Sequence, residues 1–327
     1  MILVIVESPA KAKTINKYLG SNYKVLASMG HVRDLPAKSG SIQTHNNFEM
    51  IWKTNSARSK TINEIKKEVT RADKIILATD PDREGEAISW HLYELFNNKD
   101  KKNFERVVFN AVTKETVLTA IKEPRSIDID LVEAYKARLS LDYLIGFTIS
   151  PILWKKLPGA KSAGRVQSVA LKIICQRESD IETFKSRRYW TINGDFRTID
   201  NQEFTAYLHS RNGKKLEKFD ISSEKEASNI NESLLTCEYK ISDINKSNSE
   251  KKPYPPFTTS TLQQEASKRL RFDPTRTMQI AQRLYEGIDN PHIEGGLITY
   301  MRTDGVQIED NIIDNIRDKI KNDYGVN

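Results

Sequence analysis

Cysteine is scarce in this chain: Cys175 and Cys237 are the only two among 327 residues. They have no metal-ligand spacing and no disulfide framework, which suits a reducing compartment. Long apolar runs are missing too, and no stretch approaches the ~18 residues of a membrane-spanning helix. The sequence starts directly on an apolar run, without a basic leader or cleavage site, so no secretory signal is expected. There is no G-x-x-x-x-G-K-[ST] phosphate loop, so a nucleotide-hydrolysing site is not expected. No internal repeat is visible. These absences together describe a soluble, intracellular protein without a membrane partner.

What the sequence does contain is charge of both signs. Lys and Arg number 51 against 44 Asp and Glu, a net charge of +7. The sign favours a polyanionic partner, although the excess is modest for this length. With 38% hydrophobic residues the chain can fill more than one core, and two or three domains are expected.

Two separated segments, VIVESPAKAKTI (4–15) and ATDPDREGEA (78–87), carry the most chemistry. In each, a short Val/Ile/Leu run stops on acidic residues: Glu7 in the first, Asp80, Asp82 and Glu84 in the second. An apolar run followed by a helix reads as a buried parallel strand. Ligands of such sheets bind beyond the carboxyl ends of the strands, where both acidic clusters fall. Carboxylates gathered on one edge repel unless a cation sits among them, and hard oxygen ligands suit Mg²⁺. An isolated D-x-D-x-E would more often be a solvated helix start, because short motifs recur by chance. The second strand-plus-Glu and its lysine-rich turn favour the site.

Residues 1–125 alternate strand and helix, with strands expected at 2–6, 23–28, 74–78 and 106–110 and helices at 59–71, 84–97 and 114–122. A further helix should begin near Pro9. This is the pattern of a mostly parallel sheet covered on both faces. From 128 to 185 the chain reads as helical, and Val166, Val169, Ala170, Ile173 and Ile174 form an amphipathic stripe. Short antiparallel strands are expected between 188 and 245, at 189–192 and 204–207, around a helix at 222–235. A polar linker at 247–257 leads to helices at 259–270 and 274–286, then to GGLITYMRTDG (295–305).

In that last segment Tyr300 lies two residues before Arg302. Buried tyrosines commonly pack a ring and satisfy one hydroxyl. A nucleophilic tyrosine needs a nearby cation, because its ordinary pKa is about 10. On a strand, residues i and i+2 share a face, so Tyr300 and Arg302 could meet one phosphate. The stretch KSAGRVQS (161–168) could hold a phosphate on its backbone N–H groups and Arg165, or be an ordinary loop and cap. Arg138 and Asp142 could be a surface ion pair. His31 could be a structural histidine, and Trp154 either core or a stacking platform.

Taken together, VIVESPAKAKTI, GHVRDLP, ATDPDREGEA, KSAGRVQS, PFTTSTLQQEA, AQRLYEG and GLITYMRTDG resemble, in order, the signatures of bacterial type IA DNA topoisomerases. The resemblance implies a Toprim domain at 1–125, a helical base-domain segment at 126–185, an arch segment at 186–257, and the start of a tyrosine-bearing domain at 258–327. It implies Tyr300 as nucleophile on single-stranded DNA, forming a transient 5′-phosphotyrosine, with Arg302 stabilising the phosphate. It also implies relaxation of negative supercoils without ATP. Glu7, Asp80, Asp82 and Glu84 correspond to Mg²⁺ positions. Glu7 would also manage a proton on the leaving 3′-oxygen, and Lys11 would assist the phosphate. His31, Arg138, Asp142, Phe147, Trp154, the run Ser162, Ala163, Gly164, Arg165, Val166 and Gln167, and Arg302 correspond to positions along the DNA path. Leu139 departs from the pattern, standing where the family often has a second arginine. The resemblance further implies a cytoplasmic, nucleoid-associated bacterial monomer. Family members continue well beyond the tyrosine, so the chain reads as an N-terminal portion, with weak or absent relaxation of supercoiled DNA alone and oligonucleotide cleavage the more sensitive assay. A Toprim-type Mg²⁺-dependent nuclease or primase would share the acidic strand ends but not GLITYMRTDG. A non-catalytic DNA-binding fragment is a third expectation.

Overall fold

The computed structural model describes residues 1–97, 103–288, 290, 292, 295–306, 308 and 310–325. In chain order its elements begin with β1 (Ile2–Val6), α1 (Pro9–Tyr18) and β2 (Tyr23–Ala27). Four two-residue strands follow, β3 (Arg33–Asp34), β4 (Ile42–Gln43), β5 (Glu49–Met50) and β6 (Lys53–Thr54). Next come α2 (Ser59–Arg71), β7 (Lys74–Leu77), α3 (Arg83–Phe96), β8 (Asn103–Arg106), α4 (Lys114–Lys122), α5 (Ile129–Lys156) and α6 (Gln167–Thr183). The rest of the chain forms β9 (Asn193–Arg197), β10 (Glu203–Tyr207), β11 (Ser210–Arg211), β12 (Lys214–Lys215), α7 (Glu224–Leu235), α8 (Thr259–Leu270), α9 (Pro274–Glu286) and α10 (Asp310–Tyr324). They divide into two compact units, 1–168 with 253–327, and 169–252.

The first unit is built on a four-stranded sheet in the order β2-β1-β7-β8, parallel throughout. Side chains alternate faces along a strand. Val4, Val6, Ile76 and Ala78 pack with Ile15, Val117, Ala281 and Tyr285 on one face. Leu3, Ile5, Ile75 and Leu77 pack with Ile65, Val69 and Leu92 on the other. Both faces are dry, which is why these strands read as continuous apolar runs. Each fully buried Leu, Ile or Val side chain contributes roughly 1.5–3 kcal/mol over leaving it in water.

The chain leaves β1 through α1 to reach β2 on one side, and leaves β7 through α3 to reach β8 on the other. The strand order therefore reverses between β1 and β7. That switch point opens a crevice beyond their carboxyl ends. Local chemistry fixes the helices bordering it: Ser8 caps α1 by accepting from the Lys11 amide, and Pro9 starts the helix. Asp82 caps α3 by accepting from the Gly85 amide at 2.8 Å. No helix among the described residues is long and apolar enough to cross a membrane.

The last sheet strand differs from expectation. It runs 103–106 rather than 106–110, although Val107 and Phe109 are buried and the Val107 amide still donates to the Leu77 carbonyl. Those apolar residues mark burial at the sheet's end and not ladder pairing.

The second unit contains the antiparallel pair β9–β10, with Phe196 opposite Phe204 and their rings stacked at 5.4 Å. The expected strand at 189–192 forms instead at 193–197. The aromatic run that suggested it is occupied otherwise, since Tyr189 packs edge-on against Phe219. In α6 the expected stripe is helical but exposed, with Val169 and Ile174 55% and 65% accessible.

One core histidine is expected to make the first unit acid-sensitive. His91 is fully buried against Trp52 and Trp90, with ring centroids 4.5 and 4.6 Å away, and neither ring nitrogen has a hydrogen-bond partner. Burial pushes its pKa down to about 3, aided by Arg33. An unfolded His protonates near 6.5, so from there towards pH 3 the unfolded chain takes up a proton that the folded chain refuses. Stability present above 6.5 is therefore lost as pH falls towards 3. Urea midpoints at pH 7.5 and 4.5 should diverge more in the parent than in His91→Leu, and equal divergence would contradict this assignment.

Candidate active site

The crevice beyond β1 and β7 is a cavity of about 450 Å³ lined by Glu7, His31, Asp80, Asp82, Glu84, Tyr300 and Arg302, among others. Four separated segments thus bring seven of the expected residues to one place. Glu7 follows β1, Asp80 follows β7, and Asp82 and Glu84 open α3. The eighth, Lys11, lies fully buried beneath them, its Nζ 3.1 Å from Glu7 Oε1 and 2.9 Å from Asp80 Oδ1. Its ammonium also lies 4.7 Å from the Phe109 ring centroid.

Tyr300 and Arg302 meet this cluster, but not from a strand. Residues 297–304 form bends without ladder pairing, and the Tyr300 amide is held by the Asn110 carbonyl at 2.7 Å. Tyr300 Oη donates to Asp82 Oδ2 at 2.6 Å. Arg302 donates to Glu84 at 3.0 Å and lies 3.6 Å from Asp82. The two side chains converge because they share acidic partners, not because of a pleat.

Electrostatics separates the carboxylates into different states. Burial raises Glu7 to about pH 7 against the pull of Lys11, with neighbouring Asp80 pushing the same way as burial. Glu84 falls to about 2, chiefly through its contact with His31, at 3.6 Å, and then the charge of Arg302. Burial, then the Asp82 hydrogen bond, raises the Tyr300 phenol well above its ordinary value, so the hydroxyl is protonated as it stands.

The donor set suits a hard divalent cation: five carboxylates, those of Glu7, Asp80, Asp82, Glu84 and Glu286, line one cavity. Glu7, Asp80 and Asp82 share this cavity. Among the described residues no three His, Cys, Asp or Glu side chains are grouped to hold a metal. Lys11 supplies the positive charge between Glu7 and Asp80, while Tyr300 and Arg302 engage Asp82 and Glu84.

Several structural contributors carried no assignment from sequence. Ser8 Oγ donates to Glu286 at 2.7 Å, joining the start of α1 to the end of α9. Tyr285, fully buried, meets the Tyr300 ring edge-on at 5.3 Å and donates to the Phe109 carbonyl. Both α9 residues belong to AQRLYEG, and Ser8-Pro9 is a legible helix start.

Gly85 is a sharper case. A Cβ there would sit 2.2 Å from the Asp80 carbonyl oxygen and 2.8 Å from its nitrogen. Gly85→Ala must therefore displace the acidic loop. The variant should lose about 1–3 kcal/mol of stability, as overpacked sites do. An unchanged denaturation midpoint would contradict the close approach.

The remaining expected residues lie outside this cavity. Arg165 forms a two-point pair with Asp142, at 2.8 and 3.1 Å, and Arg138 lies 3.9 Å from the same carboxylate. Phe147, 40% exposed, stacks on Tyr143 at 4.4 Å. Trp154 donates to the Lys161 carbonyl and is 58% exposed. In 162–167, the Ala163 amide donates to Ser150 and the Gly164 amide to Ser168, so these two amides are already satisfied. Val166 is 64% exposed.

A parallel sheet with acidic strand ends at its switch point defines the class, and residues 2–112 match the Toprim domain. Residues 126–327 match the DNA topoisomerase family model. The chain belongs to that family, as an N-terminal portion of the bacterial type IA kind. It is 52% identical over 329 aligned positions to DNA topoisomerase 1 of Rickettsia bellii, covering 99% of this chain and 41% of the relative. With DNA topoisomerase 1 of Zymomonas mobilis it shares 50% identity, covering 26% of that protein. The full-length topoisomerase I structure from Thermotoga maritima superimposes with a TM-score of 0.83 at 35% identity, over 99% of this chain and 53% of that one. The chain thus spans about two fifths of the Rickettsia relative.

Proposed function

We propose that this chain carries the cleavage centre of an ATP-independent type IA DNA topoisomerase acting on a single-stranded stretch of negatively supercoiled DNA. The observation that carries the reading is the contact of Tyr300 with Asp82 and of Arg302 with Glu84, which places a phenol and a guanidinium over the Toprim carboxylates. Tyr300 Oη attacks phosphorus, a bond forms to the 5′-phosphate, and the bond to the 3′-oxygen breaks. Asp82 stands in position to take the phenolic proton. Glu7, raised to about 7, is poised to give a proton to the leaving 3′-oxygen and reclaim it on religation. Arg302 and Lys11 offset charge developing on the phosphate. Glu7, Asp80, Asp82 and Glu84 would hold Mg²⁺ once Lys11 and Arg302 yield their carboxylates; when bound, the ion would neutralise phosphate charge.

Strand passage and relaxation belong to the whole protein, as do cytoplasmic location and a monomeric state. We assign 1–125 to the Toprim domain, 126–185 to the base, 186–257 to the arch and 258–327 to the tyrosine-bearing domain. His31, Arg138, Asp142, Phe147, Trp154 and 162–167 are assigned to the DNA path; for Arg165 this requires release from Asp142.

Single-stranded binding tests the substrate. Affinity for a single-stranded oligonucleotide should exceed that for duplex and fall with salt, at a log–log slope of about −0.7 per phosphate neutralised. A slope near zero in a fluorescence titration would remove the proposed phosphate contacts.

A further inference from the structure

A second cavity, of about 640 Å³, lies beside the first and contains none of its carboxylates. Trp52 and Trp90 form its wall, their rings edge-to-face at 5.8 Å. The Arg33 guanidinium lies over both indoles, at 5.8 and 5.7 Å from their centroids, and Lys136 lies 5.4 Å from Trp90. Phe48 stands at the rim, 55% exposed. Its backbone and that of Asn47 are both left-handed, with φ of 57° and 46°, a costly conformation for a bulky side chain.

The charge lining this cavity does not suit a phosphate. Arg33 and Lys136 are outweighed by Glu49, Glu94 and Glu133, and Lys136 is paired with Glu133 at 2.7 Å. What remains is aromatic surface beside a planar cation. That combination stacks a flat, uncharged ring on an indole face beside the guanidinium, with little dependence on sequence.

The two cavities share supporting elements. His31 lines the first and Arg33 the second, two residues apart in the chain. Helix α3 contributes Glu84 to one and Trp90 to the other. An aromatic contact path joins them: His31 stacks on Tyr135 at 5.4 Å and meets His91 edge-on at 6.1 Å, and His91 touches Trp52. A strand bound at Tyr300 thus has an adjoining aromatic slot within the same compact unit.

We propose that this second cavity takes an unpaired nucleobase of the single strand that the catalytic cavity cleaves. The inference rests on the DNA reading above, and its test separates the two. The full chain is titrated with a fluorescent thymidine 20-mer and with an abasic strand of the same length, which keeps the phosphates and lacks the bases. The parent should bind the thymidine strand more tightly. Trp52→Ala should weaken that binding by about 5- to 150-fold, the range for loss of one base–aromatic stack, and leave abasic binding within about twofold. Trp52→Phe should retain most of the affinity. Phe48→Ala, on an exposed turn, should show the same selectivity with a smaller loss. Equal parental affinity for both strands, or thymidine binding unchanged in both alanine variants, would overturn the slot. Equal weakening on both strands would likewise overturn it, as general damage. A parent that binds neither strand would remove the DNA reading itself.

Discussion

Tyr300→Phe is expected to abolish covalent attachment of the chain to DNA, a loss on the order of 10⁴-fold or more, as for nucleophile removal elsewhere. The substitution deletes one oxygen and the 2.6 Å hydrogen bond to Asp82, while the ring keeps its edge-on contact with Tyr285. The denaturation midpoint should move little, so activity and stability separate cleanly. Arg302→Ala should retain Tyr300 but lose charge stabilisation at the phosphate, with a fall of about 10²–10³-fold. The assay is cleavage of an end-labelled oligonucleotide with Mg²⁺. Cleavage surviving in the Phe variant would point to metal-dependent hydrolysis by the Toprim carboxylates, the nuclease alternative.

Arg106→Met is expected to cost about 3–5 kcal/mol, because it strips one partner from a fully buried ion pair. Both Arg106 and Glu86 are inaccessible to solvent, with Nε donating to Glu86 Oε2 at 3.0 Å. The guanidinium also donates to the carbonyls of Leu77, Thr79, Val107 and Asp80. Methionine matches the volume and satisfies none of them. Burial alone would raise the Glu86 carboxyl, yet Arg125, Arg106 and the Asp128 amide bring it below its ordinary value. Without Arg106 it loses one of those supports. Because Arg106 fastens the backbone at Asp80, cleavage should fall along with stability. Arg106→Met with Glu86→Leu should be less destabilised than the sum of the single variants. A urea midpoint for Arg106→Met equivalent to a loss under about 1 kcal/mol would refute this account of the sheet end.

Much of the fold was legible because its strands are buried on both faces. The runs at 2–6, 23–28 and 74–78 match β1, β2 and β7 almost residue for residue. Their order was not legible: nothing local states that β1 and β7 are neighbours, which is set by two crossovers running in opposite directions. The acidic residues of the site could be read from strand ends. The position of Lys11 could not, since α1 turns it inward beneath Glu7 and Asp80. The approach of Tyr300 was expected from a strand pleat and comes instead from an irregular segment tethered to Asn110. Arg138 and Asp142 were read as an i, i+4 pair; the structure places Arg165, from 23 residues away, closer to that carboxylate. Long-range partners of this kind leave no periodic trace in sequence.

Tyr300 Oη is the nucleophile of the covalent DNA link in the mechanism proposed above. The most direct test of that role traps the complex of the 327-residue chain with an oligonucleotide and Mg²⁺, digests both, and sequences the modified peptide by mass spectrometry. The expected result is a 5′-phosphonucleotide on Tyr300, with a free 3′-hydroxyl on the released fragment. An adduct on another residue, a 3′-phosphate linkage, or cleavage products without any adduct would contradict it.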